Sequence, residues 1–254
     1  MPPIFPKPPH EIRWPRRIVT AQEAVRYINA TGYCMLFPVA NVPLSSVYFA
    51  VTRRNPQEKM VWDKYSRMVW SWKDELPRRG RALYAKYFRG RGTLISLARL
   101  PDFLALSEFA GGGIGRERAH AQGRIGGDAR VIWEALENLG PLATLELRHA
   151  CKMETKAGSI RFRRAMVELQ RALVAVHSGT EQETTAWPSA RYDLTFRAFP
   201  REWEAAREIS PEKARAGLAA KFVQWHASEP PEKLARLFGW SRGETAAAIS
   251  ATKE

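Results

Sequence analysis

The strongest constraint on the fold is an ordered series of helix and strand signals over residues 128–200. Three segments with helical apolar spacing come first, and two segments typical of β-strands follow, over residues 173–179 and 191–199. The first helix is expected to begin at a cap on Asp128 and the second at a cap on Thr144. Three helices followed by a two-stranded hairpin is the order of a winged helix, whose third helix enters the major groove of DNA.

The third of these helices, predicted over residues 159–171, combines an apolar face with a cluster of arginines. Its apolar face consists of Phe162, Ala165, Met166 and Leu169. Arginines in the first turns are unfavourable beside the positive end of the helix dipole, but a bound phosphate would remove that handicap. We therefore predict DNA contacts from Ser159, Arg161, Arg163 and Arg164. The alternative is that these arginines lie over the surface of their own domain.

The net charge of +14 and the isoelectric point near 10.2 indicate a polyanionic partner, with nucleic acid first and an anionic membrane second. Residues 1–126 carry 21 Lys and Arg against 9 Asp and Glu. Between Leu76 and Pro101 there are seven basic residues and no acidic one, and aromatic residues are interleaved with them. This composition predicts a phosphate-contacting surface formed by Arg78, Arg79, Arg81, Lys86, Arg89 and Arg91. A merely solubilising surface is the alternative.

Changes in composition and the positions of proline and glycine divide the chain into five parts. They are a proline-rich arm (1–19), a first winged-helix-like unit with a basic surface (20–109), a glycine-rich connector (110–127), a winged helix (128–200) and a C-terminal helix-turn-helix unit (201–254). The last part is expected to be truncated, because the sequence stops before a wing could follow. The predicted fold class is therefore mainly α with small β-hairpins (α+β), in tandem winged-helix and helix-turn-helix units.

Several local signals place individual helix ends. The sequences "TAQE" and "SRGE" are capping boxes that start helices after Thr20 and Ser241, and Gly32 is expected to end the first of them. The tryptophan-rich segment "WDKYSRMVWSWKDELP" is predicted to be a helix that Pro77 stops. The prolines that follow Tyr33 indicate an irregular buried segment there.

Three stretches carry a resemblance to a known family. They are "VTAQEAVRYINATGY", "WSWKDELPRRGRALYAKYFRGRGTLIS" and the helix-turn-helix units after Gly127. In these stretches the chain resembles the AlkZ/YcaQ-type crosslink-repair DNA glycosylases, and in particular their shorter AlkZ-related members. The resemblance covers most of the chain. It implies tandem winged helices around a basic channel for double-stranded DNA.

The chain departs from the active members of that family at the catalytic motif. The resemblance implies a Gln-x-Gln or Gln-x-Asp motif after the first helix, near Phe37 and Val39. Residues 33–51 instead contain no Gln, Asp or Glu. Asn41 is the remaining weak catalytic candidate, and an amide has no useful basicity for general-base catalysis. We therefore expect a DNA-binding protein of repair or regulation without glycosylase activity.

Two alternatives stay open, namely a DNA glycosylase with a divergent active site and a basic structural or RNA-associated protein. The five histidines and two cysteines show no metal-ligand spacing, so no metal or cofactor is predicted. The sequence also has no transmembrane window or signal peptide. A cytoplasmic, nucleoid-associated location is expected, and the oligomeric state is left open.

Overall fold

The computed structural model describes residue 14 and residues 16–53, 62–110, 113–182 and 188–252. Most of the predicted proline-rich arm lies outside these described residues. The first unit contains, in chain order, α1 (Ala21–Thr31), β1 (Tyr33–Met35), α2 (Val47–Thr52), α3 (Lys64–Arg78), β2 (Leu83–Ala85) and β3 (Thr93–Ile95). Its three strands form an antiparallel sheet with β3 in the centre.

Two short helices, α4 (Leu100–Ala105) and α5 (Arg116–Ala121), lead to a second unit with the same order of elements. That unit contains α6 (Gly127–Leu139), β4 (Leu142–Ala143), α7 (Thr144–Ala150), α8 (Lys156–Arg171), β5 (Ala175–Glu181) and β6 (Ser189–Leu194). Its last strand, β6, is central in an antiparallel sheet, as β3 is in the first sheet. Both units therefore have the order helix, strand, helix, helix, hairpin.

Five helices follow the second sheet in the described part of the chain, and they pack on the hairpin of the second unit, on α4 and on one another. They are α9 (Thr195–Ala198), α10 (Pro200–Ala206), α11 (Pro211–Trp225), α12 (Pro231–Phe238) and α13 (Arg242–Ser250). The Tyr33 hydroxyl in β1 donates to the Leu218 carbonyl of α11 at 2.9 Å. The Trp225 indole N–H donates to the carbonyl of Ala30 at 2.8 Å. These contacts join α11 to β1 and α1 of the first unit, and the first sheet shares a hydrophobic core with the C-terminal helices.

Two other hydrophobic cores each belong to one unit. One lies between α1, α2, α3 and the first sheet, and it includes the fully buried side chains of Tyr27 and Ile28. The other holds α6, α7 and α8 against the second sheet. Ala119 of α5 is fully buried in the core of the second unit, so the predicted connector contains a packed helix.

The helix starts predicted from capping boxes are confirmed. Thr20 accepts a hydrogen bond from the Glu23 backbone, and the Glu23 carboxylate accepts from the Thr20 backbone. Ser241 forms the same reciprocal pair at the start of α13. Gly32 ends α1 with a φ of 80°, a conformation that favours glycine.

Several predicted boundaries in the second unit are wrong. Asp128 is not a cap, because α6 already begins at Gly127 and the Asp128 carboxylate binds Arg161. Thr144 is not a cap either, because its hydroxyl donates to the carbonyl of Ala190 in β6 at 2.7 Å. Helix α8 begins at Lys156, before the predicted position 159, because the Thr155 hydroxyl accepts from the Gly158 backbone N–H.

Other departures come from helices that replace expected irregular or extended segments. Strand β6, the second strand of the predicted hairpin, ends at Leu194, and residues 195–198 form α9. Within the segment after Tyr33 that is expected to be irregular, residues 47–52 form helix α2, since the Ser46 side chain caps it. Pro77 lies in the last turn of α3, which ends one residue later.

Within the described ranges, no helix combines the length and apolar character needed to cross a membrane. The same residues contain no group of three or more His, Cys, Asp or Glu side chains that could hold a metal ion.

Candidate functional site

Two cavities meet where the first unit packs against α8. The first has a volume of about 620 Å³ and lies between the segment after β1, helix α3 and the loop that joins β2 to β3. It is lined by Leu36, Phe37, Pro38, Val39, Ala40, Trp70, Tyr84, Lys86, Arg89, Gly90, Arg91 and Gly92. The second, about 480 Å³, is lined by Lys86, Thr144, Arg148, Lys156, Ser159, Ile160, Phe162, Arg163, Met166 and Tyr192. Because Lys86 lines both, we call them together the central cleft.

The loop that carries Lys86 is fixed to α8 by two close contacts. The backbone N–H of Lys86 donates to Oε1 of Gln170 at 3.0 Å, and the Gln170 side chain is buried in α8. Gly90 has a φ of 66°, and a Cβ there would lie 3.0 Å from the Val167 side chain. A larger residue at Gly90 would meet both steric and conformational cost. These contacts hold the partly buried Lys86 between the two units.

Basic side chains from both units line the central cleft. The first unit contributes Lys86, Arg89 and Arg91, and the second contributes Arg148, Lys156 and Arg163. Among the described residues that line the cleft, none has a carboxylate or carboxamide side chain. Burial lowers the pKa of Lys86, and the nearby charges of Lys73, Arg163 and Arg91 lower it further. The cleft therefore has a cationic lining without an acidic counterpart among those residues.

A buried polar cluster of Lys73, Asp74 and His177 lies behind the cleft. Nδ1 of His177 accepts a hydrogen bond from the Gly179 backbone N–H at 3.1 Å, so the proton of the neutral ring is on Nε2. Nε2 lies 2.8 Å from Oδ1 of Asp74, off the line of the ring N–H. The Lys73 ammonium binds the same carboxylate oxygen and lies 4.6 Å from the centre of the Trp70 ring.

The protonation states of this cluster follow from its surroundings. Burial lowers the pKa of His177 more than Asp74 raises it, so the ring is neutral at pH 7. Burial would raise the pKa of Asp74, but the facing His177 and Lys73 outweigh it and hold that pKa below its usual range. The cluster joins α3 to β5 across the two units. Rings of Tyr84 and Tyr192, which line the two cavities, flank His177 at 5.6 and 5.8 Å between centroids.

The structure brings half of the predicted DNA-binding residues together in the central cleft. Those that line it are Lys86, Arg89, Arg91, Ser159 and Arg163. Arg78, Arg79, Arg81, Arg161 and Arg164 are exposed outside it. Of these, Arg79 pairs with Glu75 at 3.1 Å, and Arg161 holds both carboxylate oxygens of Asp128. The stem of Arg78 packs close to Gly179.

Asn41, the weak catalytic candidate, lies just after the stretch of residues 36–40 that lines the cleft. Its side chain is exposed and its φ is 61°, in the left-handed region. Asparagine tolerates this conformation better than most residues, which gives a backbone reason for its presence in this turn.

Sequence reasoning missed other cleft residues, and one of them carried a usable signal. Lys156, Ser159 and Arg163 are spaced by three and four residues, which places them on one face of α8. The local sequence signals put Lys156 in a loop, so Lys156 is missing from the DNA-contacting residues predicted for this helix. Arg148, Tyr192 and the cluster around His177 come together only through tertiary packing and had no such signal.

These features define a mainly α protein with two small three-stranded sheets and a cationic cleft between its units. The model of the family described as "AlkZ related" matches residues 18–239, so the chain belongs to the AlkZ-related family. It is also similar in fold to the structure of the Streptomyces sahachiroi DNA glycosylase AlkZ, with a TM-score of 0.52 and 14% sequence identity. That similarity covers 94% of this chain and 61% of AlkZ, so the chain spans less than two thirds of AlkZ. No curated protein matches the sequence.

Proposed function

We propose that this protein binds duplex DNA through the central cleft and the exposed arginines beside it. The observation that carries the proposal is the cationic lining of the cleft, to which both units contribute and which contains no acidic side chain among the described residues. Lysine and arginine side chains that are held together without carboxylates need an anion to offset their repulsion. A DNA backbone supplies regularly spaced phosphates for such a surface.

The architecture supports the same proposal. Both units have the helix, strand, helix, helix and hairpin order that is typical of winged helices, and α8 holds the position of the helix that enters the major groove. Its first half turns Lys156, Ser159 and Arg163 toward the cleft. The fold similarity to a DNA glycosylase agrees with DNA as the ligand, which is part of our proposal for this chain.

Binding should depend strongly on salt and weakly on base sequence, because phosphate contacts carry no sequence information. If about six phosphates are contacted, the affinity should fall roughly 10³-fold between 50 and 200 mM salt. The variant R89A/R91A/R163A should reduce the slope of log K against log salt by about three. A matched control is R201A/R236A/R242A, which removes three exposed arginines of the C-terminal helices. A salt-independent affinity, or equal losses in both variants, would contradict the proposal.

We further propose that the protein does not excise bases. Residues 36–40 line the cleft where the family resemblance implies a catalytic motif, and all five side chains are apolar. Hydrolysis of an N-glycosidic bond needs a group that orients or activates water beside the sugar, and no carboxylate or amide faces this cavity from the described residues.

The second candidate function is a glycosylase with a divergent active site. Asp74 favours it, because this ionised carboxylate lies behind Tyr84 at the edge of the cleft. Catalysis by Asp74 would require movement of Tyr84, since Asp74 does not itself line either cavity. Measurement of base release from alkylated duplex separates the two functions.

A further inference from the structure

Lys86 differs from the other cleft cations in its position and in its lack of a partner. Its side chain lines both cavities, with Arg89 and Arg91 on one side and Lys156 and Arg163 on the other. Within the described part of the chain, its ammonium has no hydrogen bond or ion pair. By contrast, the buried Lys73 binds the carboxylate of Asp74.

The surroundings of Lys86 are those that make an amine reactive. A lysine is a nucleophile only as the neutral amine, and desolvation or adjacent cations increase that fraction. Both conditions hold here, since burial and three neighbouring cations lower the pKa of Lys86. Bound phosphates would screen the neighbouring arginines, but burial, the larger of these causes, would persist.

We propose that Lys86 is a nucleophile that captures abasic sites in bound DNA as a covalent imine. This inference rests on the proposed DNA binding, because the flanking arginines would hold the phosphates on either side of the sugar. The ring-opened deoxyribose of an abasic site carries an aldehyde at C1′, and intact nucleotides offer no such electrophile. An abasic site also has no base to accommodate, and it would place its sugar at the junction of the two cavities.

The chemical step is balanced without a further reactant. The lone pair of Nζ attacks C1′, and one proton passes from Nζ through solvent to the aldehyde oxygen, which gives a carbinolamine. The C1′–O bond then breaks as the second Nζ proton passes through solvent to that oxygen, which leaves as water. The product is an imine between Nζ and C1′, and water reverses the reaction. No carboxylate among the described cleft residues is placed to pair with the amine and keep it protonated.

The test is borohydride trapping on a duplex that contains one abasic site. Borohydride reduces the imine to a stable secondary amine, which migrates as a protein–DNA adduct on a denaturing gel. The wild-type protein should form this adduct, and peptide mass spectrometry should place the added sugar on Lys86. The variant K86R has no nucleophilic amine, so at protein concentrations that saturate the duplex it should give no adduct above that of an intact duplex. The matched control K213R changes an exposed lysine of α11 and should trap as the wild type does.

The outcomes separate this inference from the proposed function. Adduct on Lys86 that is lost in K86R supports the inference. Adduct spread over surface lysines, or equal trapping by K86R and wild type, overturns it. If the protein binds the abasic duplex without trapping, the inference about Lys86 fails while DNA binding stands. If there is neither binding nor trapping, both fail. Mapping the adduct on the wild-type protein tests the inference independently of whether any variant folds.

Discussion

Removal of the Asp74 carboxylate should strongly destabilise the contact between the two units. Asp74 accepts from the Lys73 ammonium and faces Nε2 of His177, and the side chains of Lys73 and His177 are 11% and 3% exposed. In the variant D74A the lysine becomes a buried charge without its partner, and the imidazole N–H loses the oxygen it faces. The helix α3 and the strand β5 that these residues connect would then lose this polar contact between the two units.

The size of the effect follows from these two losses. A buried charge left without its partner costs about 3–5 kcal/mol, and the lower end applies because Asp74 is 23% exposed. The poorly aligned N–H of His177 adds about 1 kcal/mol. We therefore expect D74A to lose about 4 kcal/mol of unfolding free energy, or about 8–16 °C in Tm for a chain of this size. The double variant K73M/D74A removes both charges and should lose only about 1–2 kcal/mol, so the coupling between them is about 2–3 kcal/mol plus the loss caused by K73M alone.

The assay is urea unfolding followed by both tryptophan fluorescence and far-ultraviolet circular dichroism. Coincident transitions are needed before a free energy is assigned, because the described residues form three hydrophobic cores. The single variant K73M completes the double-mutant cycle formed by the wild type, D74A and K73M/D74A. A loss of less than about 1 kcal/mol in D74A would refute the reasoning, since it would show that water or a shifted side chain satisfies Lys73. A double variant as unstable as D74A would refute the coupling.

Two further predictions concern acid stability and base release. Burial lowers the pKa of His226 to about 4, whereas the unfolded chain takes up this proton near pH 6.5, so stability should fall by about 3 kcal/mol as the pH decreases between these values. Thermal melts across this range should show that H226F loses this contribution and keeps the one of the same sign from His177, whose pKa burial also lowers. Single-turnover assays with protein in excess should detect no release of 7-methylguanine from alkylated duplex above the spontaneous rate. Faster release that D74N abolishes would instead establish the divergent glycosylase.

Local signals in the sequence predicted the helix ends that depend on neighbouring residues. The reciprocal hydrogen bonds of Thr20 and Ser241 involve partners three residues away, and both formed as expected. Asp128 shows where this reasoning fails. It has the chemistry of a cap, but it binds Arg161, which lies 33 residues further along the chain. A distant arginine competes for the same carboxylate, and spacing within one helix does not reveal it.

The candidate site was predictable in composition but not in assembly. The acid-free stretch around Lys86 and the arginines of α8 were both visible as separate basic segments. Their convergence depends on the hydrogen bond between Lys86 and Gln170, which are 84 residues apart, and on the close approach of Gly90 to α8. His177 likewise meets Asp74 only because β5 packs on α3. Such contacts follow from the packing of whole units, and no local periodicity encodes them.

The absence of an acid from the described lining of the cleft links the two chemical proposals. A carboxylate at Phe37 or Val39 would orient water for hydrolysis, but it would also lie in the cavity that Lys86 lines. A negative charge in the same cavity favours the protonated form of the Lys86 amine and would suppress its reactivity. Activation of water by a carboxylate and capture of an aldehyde by a neutral amine therefore make opposite demands on this cavity. The apolar side chains of residues 36–40 satisfy the second demand, which is why we expect a protein without base release to form an adduct at an abasic site.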